Sequence, residues 1–166
     1  SDKPQSDKKH LTYSKKTMGL DQNELMKKLG FKEYFLVGHD RGGRVAHRMA
    51  IDFKENIKKI SVLDIVPTSH VFKNTNAILA RRYYHWFFLI QSYPHPETMI
   101  GNDPEYYIRS KLQMWGANNQ YLTEDIIKEY LRCFTKESIN ASCEDYRAGA
   151  SIDLVDHEED FDKKIS

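Results

Sequence analysis

Apolar positions Met18, Leu25, Met26 and Leu29 recur at helical spacing, which predicts a helix capped by Ser14 and stopped by Gly30, after a polar loop over residues 1–12. Residues 34–37 (YFLV) form a short aromatic and β-branched run that predicts a buried strand ending at Gly38. From Gly42 the period changes, and Val45, Ala46, Met49, Ala50 and Phe53 share one helical stripe. Residues 59–66 (KISVLDIV) predict a second strand, closed by Pro67. Strand, helix and strand in this order predict a βαβ unit with parallel strands.

Beyond Thr68 the pattern becomes helical. Leu79, Tyr83, Phe87 and Ile90 predict one long aromatic helix. Asp103 and Pro104 open another, carrying Tyr107, Ile108, Leu112 and Trp115, and Ile126, Ile127, Tyr130, Leu131 and Phe134 mark a third. Residues 138–154 (SINASCEDYRAGASIDL) predict a fourth, and no further strand pattern precedes Ser166. A small α/β piece is thus followed by a helical piece of roughly 80 residues, a size able to fold as a unit. Two parallel strands cannot bury both faces of a sheet, so the chain is expected to be part of a larger protein. A mean hydropathy of −0.68 agrees with missing sheet.

Composition excludes more than it selects. The 166 residues carry 25 Lys and Arg against 24 acids, a net charge of +1, so no overall field favours nucleic acid or an anionic membrane. No apolar run approaches the length of a membrane span, and the polar start SDKPQSDKKH is not a secretory signal. Cys133 and Cys143 form neither a disulfide framework nor a metal-ligand set, which predicts a reduced, cytoplasmic setting with no metal and no cofactor. Ten Tyr and eight Phe suit either an aromatic site or an aromatic core.

Chemistry concentrates at GHDRG, residues 38–42. The pattern Gly-x-nucleophile-x-Gly describes a tight strand-to-helix turn that thrusts one side chain outward, with the glycines avoiding collision between strand and helix. The N-terminus of the following helix favours negative charge at that point. A carboxylate there can attack an sp³ carbon, expel a leaving group and form an ester that water then hydrolyses. Asp is also a favoured helix cap, and the motif alone leaves both readings open.

The series VGHDRGGRVAHRMA, VLDIVPT, YYHWFFL, DPEYY and CEDYRAGA, in this order over essentially the whole chain, resembles the fluoroacetate (haloacetate) dehalogenases of the α/β-hydrolase superfamily. The resemblance implies an α/β fold: a partial hydrolase core over residues 1–67, a helical cap over 68–152 and a return to the core over 153–166. It makes Asp40 the nucleophile and Asp64 the acid that orients a catalytic histidine. Arg41 and Arg44 become the pair that grips a substrate carboxylate, as guanidinium forks do. It assigns His85, Trp86 and Tyr146 to a halide pocket, where their N–H and O–H groups serve as donors. From the residues alone, these three read more readily as packed aromatics of a core. Arg48 reads as a surface arginine.

The same resemblance implies a substrate that is a small haloacid, homodimerisation, and a general-base histidine after further strands, beyond Ser166. His157 does not fill that role, because the family carries a similar acidic stretch besides its catalytic histidine; it is expected to be solvated. Strands expected ahead of residue 1 are absent as well, so the core is read as incomplete at both ends. An epoxide hydrolase or haloalkane dehalogenase is the nearest alternative, although those relatives usually place tryptophan where Arg41 stands. A third reading is an inactive fragment or a non-catalytic interaction module.

Overall fold

The computed structural model describes residues 2–115, 118 and 120–163; Ser1, Ser166 and the side chain of Trp115, which the sequence placed on a helix face, lie outside them. Ser14 caps α1 (Lys15–Lys28) by accepting from the Thr17 N–H at 3.1 Å, and Gly30 stops the chain in a left-handed turn at φ +87°. The face of α1 that packs is not the one its apolar residues predict. Leu25 and Leu29 are exposed, and Lys15, Gly19 and Asn23, spaced by four, are buried. Contact sets the choice: a Cβ at Gly19 would lie 2.8 Å from Met49 Cγ, so only the bare helix surface lets α1 approach its neighbour.

That neighbour is α2 (Asp40–Asp52), which links β1 (Tyr34–His39) to β2 (Ile57–Leu63). The strands pair in parallel, with Leu36 opposite Ile60 and Gly38 opposite Val62, as the βαβ reading predicts. The expected burial of β1 does not hold. Phe35 and Val37 are 69% and 66% exposed, because helices cover only the face that carries Tyr34, Leu36 and Gly38. Among the described residues the sheet has these two strands alone, with its second face and both edges open. β2 stops short of residue 66, since Asp64 takes a left-handed φ of +56° and turns the chain out of the sheet.

Helix α3 (Thr68–Lys73) comes first, and the aromatic stretch expected as one long helix is two short ones, α4 (Ala77–Arg82) and α5 (Tyr84–Leu89). Asn76 accepts from the N–H groups of Ile78 and Leu79 and so starts a new helix, and Tyr83, at φ −105°, breaks the register between the next two. Helix α6 (His95–Asn102) has Pro96 and Glu97 in its first turn, a start signal that the periodicity did not reveal. Helices α7 (Pro104–Trp115) and α8 (Glu124–Cys133) lie where expected. The fourth predicted helix divides at Ala150 and Ser151 into α9 (Lys136–Gly149) and α10 (Ile152–Glu159).

Leu89, Ile100, Ile139 and Cys143 form the core of the helical part, ringed by Phe88, Tyr107, Phe134 and Tyr146. Burial of each aliphatic side chain there contributes about 1.5–3 kcal/mol. No helix of the described residues is long and apolar enough to cross a membrane.

Candidate active site

The strand-to-helix turn is built by two glycines, and they are not the pair that brackets Asp40 in the motif. A Cβ on Gly38 would meet the Gly42 carbonyl oxygen at 2.5 Å and Gly43 Cα at 2.7 Å. One on Gly43 would meet Ile65 at 2.9 Å and the Gly38 oxygen at 3.1 Å, whereas Gly42 has open space. Close approach of β1 and α2 forces Asp40 into a left-handed φ of +48°, a conformation that costs a non-glycine residue about 1–2 kcal/mol. The side chain is exposed, and its carboxylate accepts no hydrogen bond among the described residues; His39 occupies the cap position. Asp40 is therefore presented to solvent rather than used as a helix cap.

Both flanking arginines turn inward. The Arg41 Nε and Nη2 donate to the side chain and the carbonyl of Asp145, the latter at 2.8 Å, and its guanidinium lies 4.1 Å from the Tyr146 ring centroid. Arg44 is 8% exposed; its Nη1 donates to the Val66 oxygen at 2.7 Å and Thr68 Oγ1 at 3.0 Å, and its guanidinium sits 4.6 Å from the Trp86 ring. Burial and the nearby Arg41 charge lower the pKa of Arg44, while Asp40 raises it. The Arg44 Nε is buried without a partner. Arg44 thus keeps its side-on pair of donors, Nε and Nη2, uncommitted among the described residues, with Nε buried. On Arg41, whose Nε and Nη2 are taken by Asp145, Nη1 is the donor left uncommitted among the described residues.

The aromatic trio closes the arrangement. Tyr146 meets His85 edge to face at 5.8 Å between centroids and Trp86 at 5.9 Å, and Trp86 stacks on Tyr83. His85 and Trp86 are 4% and 6% exposed. Burial, then the charges of Lys111 and Arg41, push the His85 pKa down to about 4, so the ring is neutral at pH 7. Burial pushes Tyr146 up to about 12, with Arg41 opposing and Asp40 reinforcing the shift. Five of the seven residues singled out from sequence (Arg41, Arg44, His85, Trp86 and Tyr146) are therefore joined by ring and guanidinium contacts, within electrostatic reach of Asp40. The rings pack against each other and against the guanidinium groups, as the packed-aromatic reading describes.

His85 gives a direct pH prediction. Its folded pKa lies below the unfolded value, so its neutral state is fully accommodated above about pH 6.5. As pH falls from about 6.5 to about 4 the unfolded chain takes up the proton first, and stability drops by on the order of 3 kcal/mol. Urea unfolding at pH 7 and pH 4 should show this loss in the unaltered chain and a smaller one in His85→Gln.

Asp64 departs from expectation. The resemblance makes it the acid that orients a histidine; it is exposed, in the left-handed turn after β2, and no described histidine is hydrogen-bonded to it. Water removes the demand for a partner. Arg48 is not a surface residue: it is 7% exposed, ion-paired to Asp52 and Asp160, and donates to the Asp156 oxygen at 3.3 Å. Nor is His157 fully solvated. It is half-buried, 6.3 Å from His47, beside a cavity of about 40 Å³ that Arg44, Arg48 and Asp156 also line. Both outcomes follow from α10 packing against α2, a contact that helical periodicity does not announce.

Sequence reasoning also passed over Asp145 and Lys15. The Lys15 Nζ is 2.5 Å from Asp145 Oδ1 and 3.2 Å from Asp153 Oδ2, with Lys15 only 4% exposed. Asp145 thereby ties the first turn of α1 to Arg41. The available signal was its place one residue before Tyr146 in CEDYRAGA.

The sheet, the glycine-built turn and the helices after it define a hydrolase architecture. The model of the alpha/beta hydrolase fold family matches residues 1–149, and the chain belongs to that family. Within it, the chain is 43% identical over 160 residues to a fluoroacetate dehalogenase of Burkholderia sp., covering 95% of this chain and 53% of that protein. It is 30% identical over 153 residues to a soluble epoxide hydrolase of Corynebacterium sp. (strain C12), covering 89% and 53%. A crystal structure from Nostoc sp. PCC 7120, provisionally named an alpha/beta hydrolase, superposes with a TM-score of 0.94 at 48% identity over 98% of this chain and 56% of that one. The chain spans about half the length of the curated relatives it matches.

Proposed function

We propose that this chain carries the nucleophile and the anion-gripping side of a haloacetate dehalogenase, with residues 68–152 as the cap over the hydrolase core. The observation that carries the reading is the bare Asp40 carboxylate beside an inward-turned arginine pair and three ring donors. The uncommitted donors of Arg44 and Arg41 suit the carboxylate of a two-carbon acid and would hold its halogen-bearing carbon at Asp40. An Asp40 oxygen then attacks that carbon, the carbon–halogen bond breaks, and the halide leaves with its electron pair toward His85, Trp86 and Tyr146. Neutral His85 and protonated Tyr146 serve as donors at neutral pH, where charge develops. Water attacks the carbonyl carbon of the Asp40 ester, giving glycolate and restoring the carboxylate. The sum is haloacetate plus water to glycolate, halide and a proton.

In this reading Asp64 orients a histidine base outside the described residues, and that base is needed only for the second step. Fluoride release from fluoroacetate by the full-length gene product, lost in Asp40→Asn, is the expected result. Absence of halide release from fluoroacetate, chloroacetate and bromoacetate alike would remove the substrate assignment. Epoxide hydrolysis is the second reading, favoured by the Corynebacterium relative. Turnover of styrene oxide faster than chloroacetate would establish it instead.

A further inference from the structure

Lys111, on α7, is 7% exposed and makes no ion pair among the described residues, although every acidic residue of the chain is among them. Its Nζ donates to the Tyr84 hydroxyl at 2.7 Å and lies 3.9 Å from the Tyr84 ring centroid and 5.5 Å from that of Tyr107. Tyr84 in turn meets His85 edge to face at 6.2 Å. A buried ammonium held only by a phenol and two aromatic faces is an uncompensated charge, which is costly unless an anion shares its surroundings. All the other buried cations here have carboxylate or carbonyl partners: Lys15 on Asp145 and Asp153, Arg44 on Val66, Arg48 on Asp52 and Asp160, Arg147 on Glu97 and Glu144.

We propose that Lys111 is the fixed positive charge behind the His85, Trp86 and Tyr146 rings, and that it draws a small monovalent anion of halide size to them. The proposal rests on the reading of those rings as an anion pocket and adds a residue that the reading does not contain. His85 faces Lys111 from α7, Arg41 from α2 and Tyr146 from α9, with Tyr83 and Tyr84 flanking it; none of these is an acidic side chain. The field of Lys111 disfavours protonation of His85, so the ring stays a neutral N–H donor, and the same field favours an anion in front of it. Lys111 acts through His85 and Tyr84 and is a positioning residue.

The test uses the full chain, with bromide as probe, followed by NMR of the Trp86 indole and His85 ring resonances. Lys111→Gln is expected to weaken bromide binding at least ~5-fold and to raise the proton affinity of His85 about 10-fold, while Lys111→Arg keeps both within about 2-fold. Should Lys111→Gln fail to fold, Lys111→Met is measured in its place, since it retains the stem that packs on Tyr84 and Tyr107. An unchanged bromide affinity, or an unchanged His85 titration, in a folded variant overturns the proposal, as does the absence of any bromide response in the unaltered chain. Bromide binding that depends on Lys111 in a protein that never dehalogenates a haloacid would instead remove the functional reading and leave this inference standing.

Discussion

Chloroacetate is expected to leave one carboxymethyl group on Asp40 of this chain, and the group should stay there. Displacement of chloride needs only a nucleophile, an anchored acid and donors at the leaving group, the roles that the proposed function gives to Asp40, the arginine pair and the three rings. Release of the product needs a base for water, and no described histidine is bonded to Asp64. Intact mass followed by peptide mapping reads the outcome. Cys133 is an exposed thiol that also reacts with chloroacetate, so the measurement belongs in a Cys133→Ser background; Cys143 is buried with its thiol pushed up to about 12 and stays silent. Asp40→Asn should abolish the modification. Arg44→Met should slow it by roughly 10²–10³-fold, the scale associated with losing an oriented ionic contact to the substrate. Labelling spread over several surface carboxylates, with Asp40 unmarked, would refute the idea that this residue is the activated one.

Much of this arrangement is legible in the sequence, and the boundary of legibility has physical causes. The βαβ order was readable because strand and helix periods differ and because Gly38 and Pro67 punctuate them. The residues at Asp40 were readable because they stand in one short motif, Arg41 and Arg44 three residues apart on one turn. His85, Trp86 and Tyr146 were readable only through likeness to a family, since no spacing links residue 146 to residue 85. Three failures share one origin: partner helices far away in sequence. Packing of α1 on α2 selects the stripe Lys15, Gly19 and Asn23 over the more apolar Leu25 and Leu29. Arg48 is buried because Asp160 arrives from beyond α10. Lys111 carries no signal in the sequence, and only the fold shows that its charge has two tyrosines and no acid among the described residues. Helix breaks at Tyr83 and Ser151 were hidden for a different reason, because neither position carries Gly or Pro.

Gly38→Ala is expected to be the most damaging single methyl in the molecule, and Gly42→Ala, four residues away in the same motif, to be harmless. The contacts that a Gly38 Cβ would make are to backbone of Gly42 and Gly43 and to Ala46 Cβ at 2.8 Å, none of which can swing aside as a flexible side chain does. Strand β1 and helix α2 would have to separate, at a cost of about 3 kcal/mol or more. At Gly42 nothing lies within 4 Å and φ is not left-handed, so alanine should stabilise the first turn of α2 by roughly 0.5–1 kcal/mol. Gly43→Ala falls between, since Ile65 can rotate away but the Gly38 oxygen cannot. Urea midpoints rank the three, and alkylation of Asp40 by chloroacetate supplies a second scale: Gly38→Ala should lose it even under conditions where the chain remains folded. Separating β1 from α2 would relax Asp40 out of its left-handed conformation and swing Arg41 and Arg44 away from Tyr146 and Trp86. Equal midpoints and equal alkylation for Gly38→Ala and Gly42→Ala would mean that strand and helix do not touch as closely as the structure has them, and that the exposed carboxylate owes its reactivity to something other than this turn.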